Sequence, residues 1–255
     1  MQSPRLLAVF LLLIAIATIQ VGASVAKQLF PQVGAEGAAF FRVWIAALLL
    51  LGGWRPWRKP LTRAAWGAIA LYGASLGLMN LVFYHALARI PLGLAVALEF
   101  VGPLAVALFG SRRLLDVLWA LCAAVGIVLI LPLGESRAIG ALDPVGVGLA
   151  LLAGVFWGFY IVFGKRAGSL VSSGTASSLG MGMAGLVILP AALPALEPSW
   201  FSAQVLPLAF GVALLTFLDR FIPHEHAGGH HVHVHEDHVH DGPPPAACGV
   251  AEAHV

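Results

Sequence analysis

The stretch covering residues 77–109, GLMNLVFYHALARIPLGLAVALEFVGPLAVALF, decides what kind of fold this chain adopts. It reads as two apolar helices joined by a tight turn at Arg89, Ile90 and Pro91, and the second helix is long enough to cross a bilayer. Glu99 lies about midway along that helix. An ionisable group inside a membrane is costly and usually faces a bundle interior or a water-filled cavity, so the sequence predicts a functional carboxylate. The alternative is a carboxylate that only sits at a helix interface.

Pro103 strengthens the functional interpretation of Glu99. A proline has no backbone N–H, so it cannot donate the helical hydrogen bond that the carbonyl of Glu99 would accept. We therefore predict a weakened helix beside the carboxylate.

The preceding helix carries a face of small and polar residues, namely Gly73, Gly77, Asn80 and Tyr84, which helical spacing brings to one side. The two glycines predict a close helix approach. Asn80 and Tyr84 either hydrogen-bond a substrate or hold helices together, and the sequence leaves both alternatives open.

Composition indicates a polytopic membrane protein. Hydrophobic residues make up 60% of the 255 residues and charged residues only 10%, whereas charged residues approach about 25% in soluble domains. The net charge of +2 is small. The sequence has no basic cluster interleaved with aromatic residues, so a nucleic-acid partner is not predicted. Cys122 lies in an apolar run and Cys248 in a polar tail. The two cysteines therefore do not predict a disulfide framework.

Apolar runs predict an all-α polytopic membrane helix bundle with about eight transmembrane helices. The expected spans cover residues 6–25, 38–53, 64–88, 92–109, 115–132, 144–164, 175–193 and 205–222. The loop of residues 54–63 is rich in arginine, lysine and tryptophan, which is typical of a cytoplasmic loop. The sequence therefore predicts a multi-pass protein of the inner (plasma) membrane with a cytoplasmic amino terminus.

Two further cations fall in or near the predicted spans. Arg42 lies inside the second span, where it either pairs with Glu99, binds a substrate carboxylate or reaches toward the membrane surface. Lys27 follows the first span and either faces the bundle interior as a substrate ligand or extends to the interface.

A family resemblance rests on three strings: VGASVAKQLFP, FFRVWIAALLLL and GLMNLVFYHALARIPLGLAVALEFVGPLAVAL. With them, residues 8–216 resemble the drug/metabolite transporter superfamily, its EamA branch, and within it the threonine/homoserine exporter group. The resemblance implies ten helices in two five-helix repeats that export small metabolites, often amino acids, usually coupled to protons.

A faint internal repeat agrees with two halves, since an offset of 138 residues lays Lys165 on Lys27. Halves with an odd number of helices are inverted in the membrane and place a substrate site at their interface. We expect a first EamA-like repeat over residues 1–136, a truncated second repeat over residues 137–222, and a disordered histidine-rich tail over residues 223–255. The last two helices of the family pattern have no counterpart after Thr216.

The tail combines histidines with carboxylates, a composition that binds divalent transition metals weakly. It also resembles a histidine-rich loop of ZIP-type metal transporters. The candidate metal ligands are His224, His226, His230, His231, His233, His235, His238 and His240. No other cofactor is expected.

We expect a transporter that exports threonine, homoserine or a similar metabolite by proton-coupled alternating access, with Glu99, Asn80, Tyr84, Arg42 and Lys27 as substrate-binding candidates. The alternatives are a membrane-anchored metal-binding protein, or an inactive truncated or fused transporter. The sequence shows neither a nucleophile paired with a base nor a phosphate-binding loop, so an enzyme is not predicted. The expected partners are the lipid bilayer and a small metabolite, and a homodimer stays an alternative to the monomer.

Overall fold

The computed structural model of the protein describes residues 4–58, 60–110, 114–130 and 143–227, and these ranges contain helices and no strand. Short 3-10 turns lie at Pro56–Arg58, Leu193–Ala195 and Pro198–Phe201. The α-helices of these ranges are α1 (Pro4–Trp54), α2 (Arg63–Leu87), α3 (Leu92–Glu99), α4 (Val101–Gly110), α5 (Leu114–Ile130), α6 (Pro144–Leu170), α7 (Ser173–Ala192) and α8 (Val205–Ala227).

The first two predicted spans share one element, α1, instead of being separated by a loop. Helical geometry is interrupted at Gly34, where φ is 68° and ψ is −176°. Only glycine adopts such a positive φ without strain, which explains why the helix changes course there. Pro31 lies less than one turn earlier and removes a further backbone donor from the same segment.

The predicted weak point beside Glu99 is confirmed. The span expected over residues 92–109 is divided into α3 and α4, and Phe100 between them is a turn residue. Hydrogen bonds continue on both sides, from Phe100 N to Val96 O at 3.1 Å and from Leu104 N to Phe100 O at 3.1 Å. Glu99 therefore lies at the interruption of the helix, where Pro103 has no N–H to donate to its carbonyl.

The predicted close approach of α2 is also confirmed, and its partner is α7. A Cβ at Gly73 would meet the carbonyl oxygen of Gly180 at 2.5 Å, and a Cβ at Gly77 would meet that of Ala184 at 2.8 Å. Small residues four apart on each helix thus let the two backbones touch, as is common in membrane bundles. This contact fixes the rotation of α2 and so the direction in which Tyr84 points.

Five segments of the described chain are long and apolar enough to cross a membrane: Gln20–Arg58, Arg63–Leu87, Leu92–Gly110, Pro144–Leu170 and Ser173–Ala195. The shorter apolar helices Val117–Gly126 and Val205–Phe217 accompany them. The predicted class, an all-α polytopic membrane bundle, is confirmed. The last helix continues to Ala227, past residue 222 where we expected the tail to begin.

Candidate functional site

Glu99 is the buried acid of the described bundle, with 6% of its surface exposed. Within the described residues its carboxyl group makes no hydrogen bond and no ion pair. Burying a charge without a partner costs several kcal/mol or more, so such a group is retained only where something else uses it. A ligand amine or a proton would satisfy it.

Arg42 acts on Glu99 electrostatically. The two side chains do not form the direct ion pair that we considered. The Arg42 guanidinium instead donates from Nη1 to the Tyr84 hydroxyl at 3.1 Å and lies 5.8 Å from the centre of the Tyr84 ring. The partner of Nη1 is thus a neutral hydroxyl group, and the positive charge of Arg42 stays available to an anion.

Tyr84 is fully buried, and its rotation follows from the packing of α2 on α7. Asn80, one turn earlier, is 6% exposed and donates from Nδ2 to the carbonyl of Leu76 at 2.8 Å. That bond stays within α2, so the structure does not show Asn80 holding two helices together. Its side-chain carbonyl oxygen has no hydrogen bond among the described residues.

These residues lie at a similar depth from one end of the bundle. At 1.5 Å of rise per residue, about 12 Å separates Arg42 from the break at Gly34, and about 10 Å separates Glu99 from the start of α3. Asn80 lies about 10 Å from the end of α2. Half of a bilayer core is about 15 Å, so the group lies somewhat above the midplane on that side.

The backbone around Glu99 is held by a crossing of two glycines that the sequence did not reveal. A Cβ at Gly154 in α6 would meet the carbonyl oxygen of Glu99 at 2.7 Å and the nitrogen of Gly102 at 3.3 Å. A Cβ at Gly102 would overlap the carbonyl group of Gly154. The interrupted segment between α3 and α4 is thus pressed directly onto α6, which positions Glu99.

Lys27 does not join the group around Glu99. It is exposed and lines a cavity at the end of the bundle with Phe30 and Arg89. Arg89 Nη1 contacts Asp143 Oδ2 at 2.9 Å, and Asp143 Oδ1 caps α6 by accepting from Val145 N at 2.9 Å. The hydrogen bond from Arg89, followed by that from Val145, holds the pKa of Asp143 below its usual value of 3.8.

A second polar contact at this end escaped the sequence analysis. His85 Nε2 lies 3.4 Å from Glu36 Oε1, which links the end of α2 to the segment after Gly34. The Asp-Pro pair at residues 143 and 144 is a helix start signal that would have identified the cap, although not its arginine partner. The opposite end of the bundle carries Arg55, Arg58, Arg63, Lys165 and Arg166.

The predicted metal ligands are not tested. His230, His231, His233, His235, His238 and His240 lie outside the described residues, and the side chains of His224 and His226 in α8 are not described either. Among the residues that the structure does describe, no three histidines, cysteines or carboxylates come together to hold a metal ion.

Comparison with known proteins identifies relatives for most of the chain. It is 44% identical over 216 residues to the threonine/homoserine exporter RhtA of Escherichia coli (strain K12), covering 84% of this chain and 72% of that protein. It is 42% identical over 213 residues to RhtA of Salmonella typhimurium (strain LT2), covering 84% of this chain and 71% of that protein. No protein-family model and no solved structure matches the sequence.

These relatives agree with the membrane-spanning helices and with the resemblance carried by the sequence strings. They give no support to the resemblance of the tail to ZIP-type metal transporters. The relatives are exporters rather than enzymes. The chain is a multi-pass membrane protein and belongs to the RhtA family of exporters, an EamA-like group of the drug/metabolite transporter superfamily.

Proposed function

We propose that this protein exports threonine, homoserine or a closely related amino acid across the inner membrane by proton-coupled alternating access. The observation that carries the proposal is Glu99, a carboxyl group that is 6% exposed and has no partner among the described residues. The names of the relatives supply the substrate class.

The chemistry of the site fits a small zwitterion. Glu99 is suited to an ammonium group and Arg42 to a carboxylate, because charge-assisted hydrogen bonds are the strong ones in a site shielded from water. Asn80 has an unused carbonyl oxygen for a hydroxyl group such as that of threonine or homoserine. The Tyr84 hydroxyl orients Arg42 without neutralising it.

The same carboxyl group supports the proposal of proton coupling. A proton and a substrate amine both neutralise Glu99, so each excludes the other from it. Exchange of one for the other on opposite sides of the membrane would drive export against a gradient. Breaks at Gly34 and Phe100 provide the points at which α1 and the α3–α4 segment bend during the change of access.

Helix packing supports an inverted repeat. The offset of 138 residues relates the start of α1 to α6 and relates α2 to α8. The most extensive contacts in the bundle are α2 with α6 and α1 with α8, and these are the two pairs that such a symmetry exchanges. Inverted repeats place substrate sites at their interface near the midplane.

We propose the orientation in the membrane that the sequence predicts, with the amino terminus in the cytoplasm. Arg55, Arg58, Arg63, Lys165 and Arg166 gather at one end, and short cytoplasmic loops carry the excess of basic residues. The amino terminus and that end then face the cytoplasm, and Lys27 and Arg89 face outward.

The test is efflux of radiolabelled threonine or homoserine from loaded cells that express Glu99→Gln. This variant keeps the volume and removes the charge, so we expect normal insertion and loss of efflux. Glu197→Gln is the control, because it removes a carboxylate in the same way from the exposed loop after α7. Rates are compared at equal membrane abundance. Full efflux in Glu99→Gln would exclude Glu99 as the coupling group.

A further inference from the structure

A cavity lies at the end of the bundle that we propose faces outward, and Glu99 is not among the residues that line it. Its volume is about 570 Å³, within the range of small-molecule sites. Its walls come from one turn of α1 and from the connection between α2 and α3, and are lined by Lys27, Phe30, Pro31, Leu87, Ala88, Arg89, Ile90 and Pro91. We call this cavity the antechamber.

Two cations and an apolar wall define the chemistry of the antechamber. Lys27 is exposed and lines the cavity beside apolar residues of α1. Arg89 donates to Asp143 through Nη1 only, and a guanidinium has five N–H donors, so others remain for a ligand. Asp143 pairs with Arg89, and Glu36 at the same end contacts His85, whereas Lys27 has no ion-pair partner among the described residues. The charge of Lys27 is therefore available to an anion.

The antechamber and the buried site share a wall. Phe30 lines the antechamber, and its ring lies 5.7 Å from the ring of Tyr84, whose hydroxyl accepts the bond from Arg42. The contact between these two rings therefore lies between the antechamber and the hydrogen bond of Arg42.

The segment that carries Phe30 leads directly into the kink of α1. Pro31 follows it directly and lacks a backbone donor, and the positive φ of 68° at Gly34 interrupts the helix within the next turn. The far wall is fixed by contrast, since Gly146 of α6 lies directly against Ile90 and Asp143 binds Arg89. Movement of Phe30 relative to Tyr84 is the change that would join the two spaces.

We propose that the antechamber is a second substrate site, in which Lys27 and Arg89 bind the carboxylate of the transported amino acid and Phe30 against Tyr84 closes the passage to Glu99. This inference rests on the proposed export function and adds a site to it. The lining offers Lys27 and Arg89 to the carboxylate end of a small amino acid, and the remaining wall is apolar.

The test measures substrate exchange from each face separately, in right-side-out and inside-out membrane vesicles. A lost charge-assisted hydrogen bond is worth about 1.5–3 kcal/mol, which corresponds to roughly tenfold or more in affinity. We expect Lys27→Gln to raise the half-saturating concentration by roughly tenfold for substrate offered at the antechamber face, with a maximal rate within about twofold. Substrate offered at the opposite face should show no change.

Lys165→Gln is the matched control, because it removes the same charge at the other end of α6. An amino alcohol analogue without the carboxylate should inhibit weakly in the wild type, and Lys27→Gln should reduce the discrimination between analogue and substrate at the antechamber face, where Arg89 remains.

The outcomes separate the two proposals. An unchanged half-saturating concentration, or an equal rise at both faces, would overturn the antechamber and leave export intact. A Lys27→Gln effect that depends on the anionic phospholipid content of the vesicles, with no discrimination against the amino alcohol, would assign the cavity to a lipid headgroup. If the wild type shows no exchange at either face, the proposed export function is refuted. Equilibrium binding of labelled threonine to the purified protein then tests the antechamber proposal. Equal binding by the wild type and Lys27→Gln, or no binding, would then refute it.

Discussion

The crossing of Gly102 and Gly154 gives the most direct test of how the backbone positions Glu99. In Gly154→Ala, the added methyl group would lie 2.7 Å from the carbonyl oxygen of Glu99 and 3.3 Å from the nitrogen of Gly102. Ordinary contact begins at 3.4 Å, so α6 must withdraw by about 0.7 Å in an interior that is packed without slack. We expect a cost of about 1–3 kcal/mol in the free energy of unfolding.

Gly148→Ala is the control in the same helix, since a Cβ there meets nothing within 4 Å. Alanine at an unobstructed helical position is favoured over glycine by about 0.5–1 kcal/mol, so this variant should be at least as stable as the wild type. The two substitutions are chemically identical and should shift stability in opposite directions.

The measurement is the midpoint of thermal unfolding of the purified protein in detergent, followed by size-exclusion chromatography after heating. Efflux of radiolabelled threonine is measured in parallel, and Gly154→Ala should lower it because the carboxylate is displaced with its backbone. Gly102→Ala, which would overlap the backbone of Gly154, should be more severe. A Gly154→Ala variant that melts at or above the temperature of Gly148→Ala would refute the reasoning.

Two further predictions concern contacts that hold the bundle together. Trp44 Nε1 donates to the carbonyl of Gly185 at 3.1 Å, so Trp44→Phe should lose about 0.5–1.5 kcal/mol of stability in the same thermal assay, whereas Trp119→Phe on the exposed face of α5 should not. Because the pKa of Asp143 lies below its usual 3.8, the contribution of its carboxylate to stability is present above about pH 4 and is lost as the pH falls through the lowered pKa. Asp143→Asn should therefore melt lower than the wild type at neutral pH, and the difference should shrink in acid; a difference that stays constant with pH would contradict the role of the charge.

The sequence by itself determined the class of the protein and several local features. Apolar runs long enough to span a bilayer decide the membrane class, because each such helix must satisfy its backbone internally whatever lies beside it. The break after Glu99 follows from Pro103, and the close face of α2 follows from Gly73 and Gly77. These are properties of one segment of chain, and helical periodicity is enough to predict them.

Only the tertiary structure decided which side chains meet. Arg42 could be placed inside a span from sequence, but its hydrogen bond to Tyr84 rather than to Glu99 depends on how α1 and α2 are rotated and how deep each lies. Lys27 lines the same cavity as Arg89 at one end of the bundle for the same reason. The contact of Gly154 with the Glu99 backbone joins residues on different helices, and no periodicity within either helix specifies it. Lateral packing selects these pairs because interhelical contact depends on shape at the crossing point, which is a property of two surfaces and not of one segment.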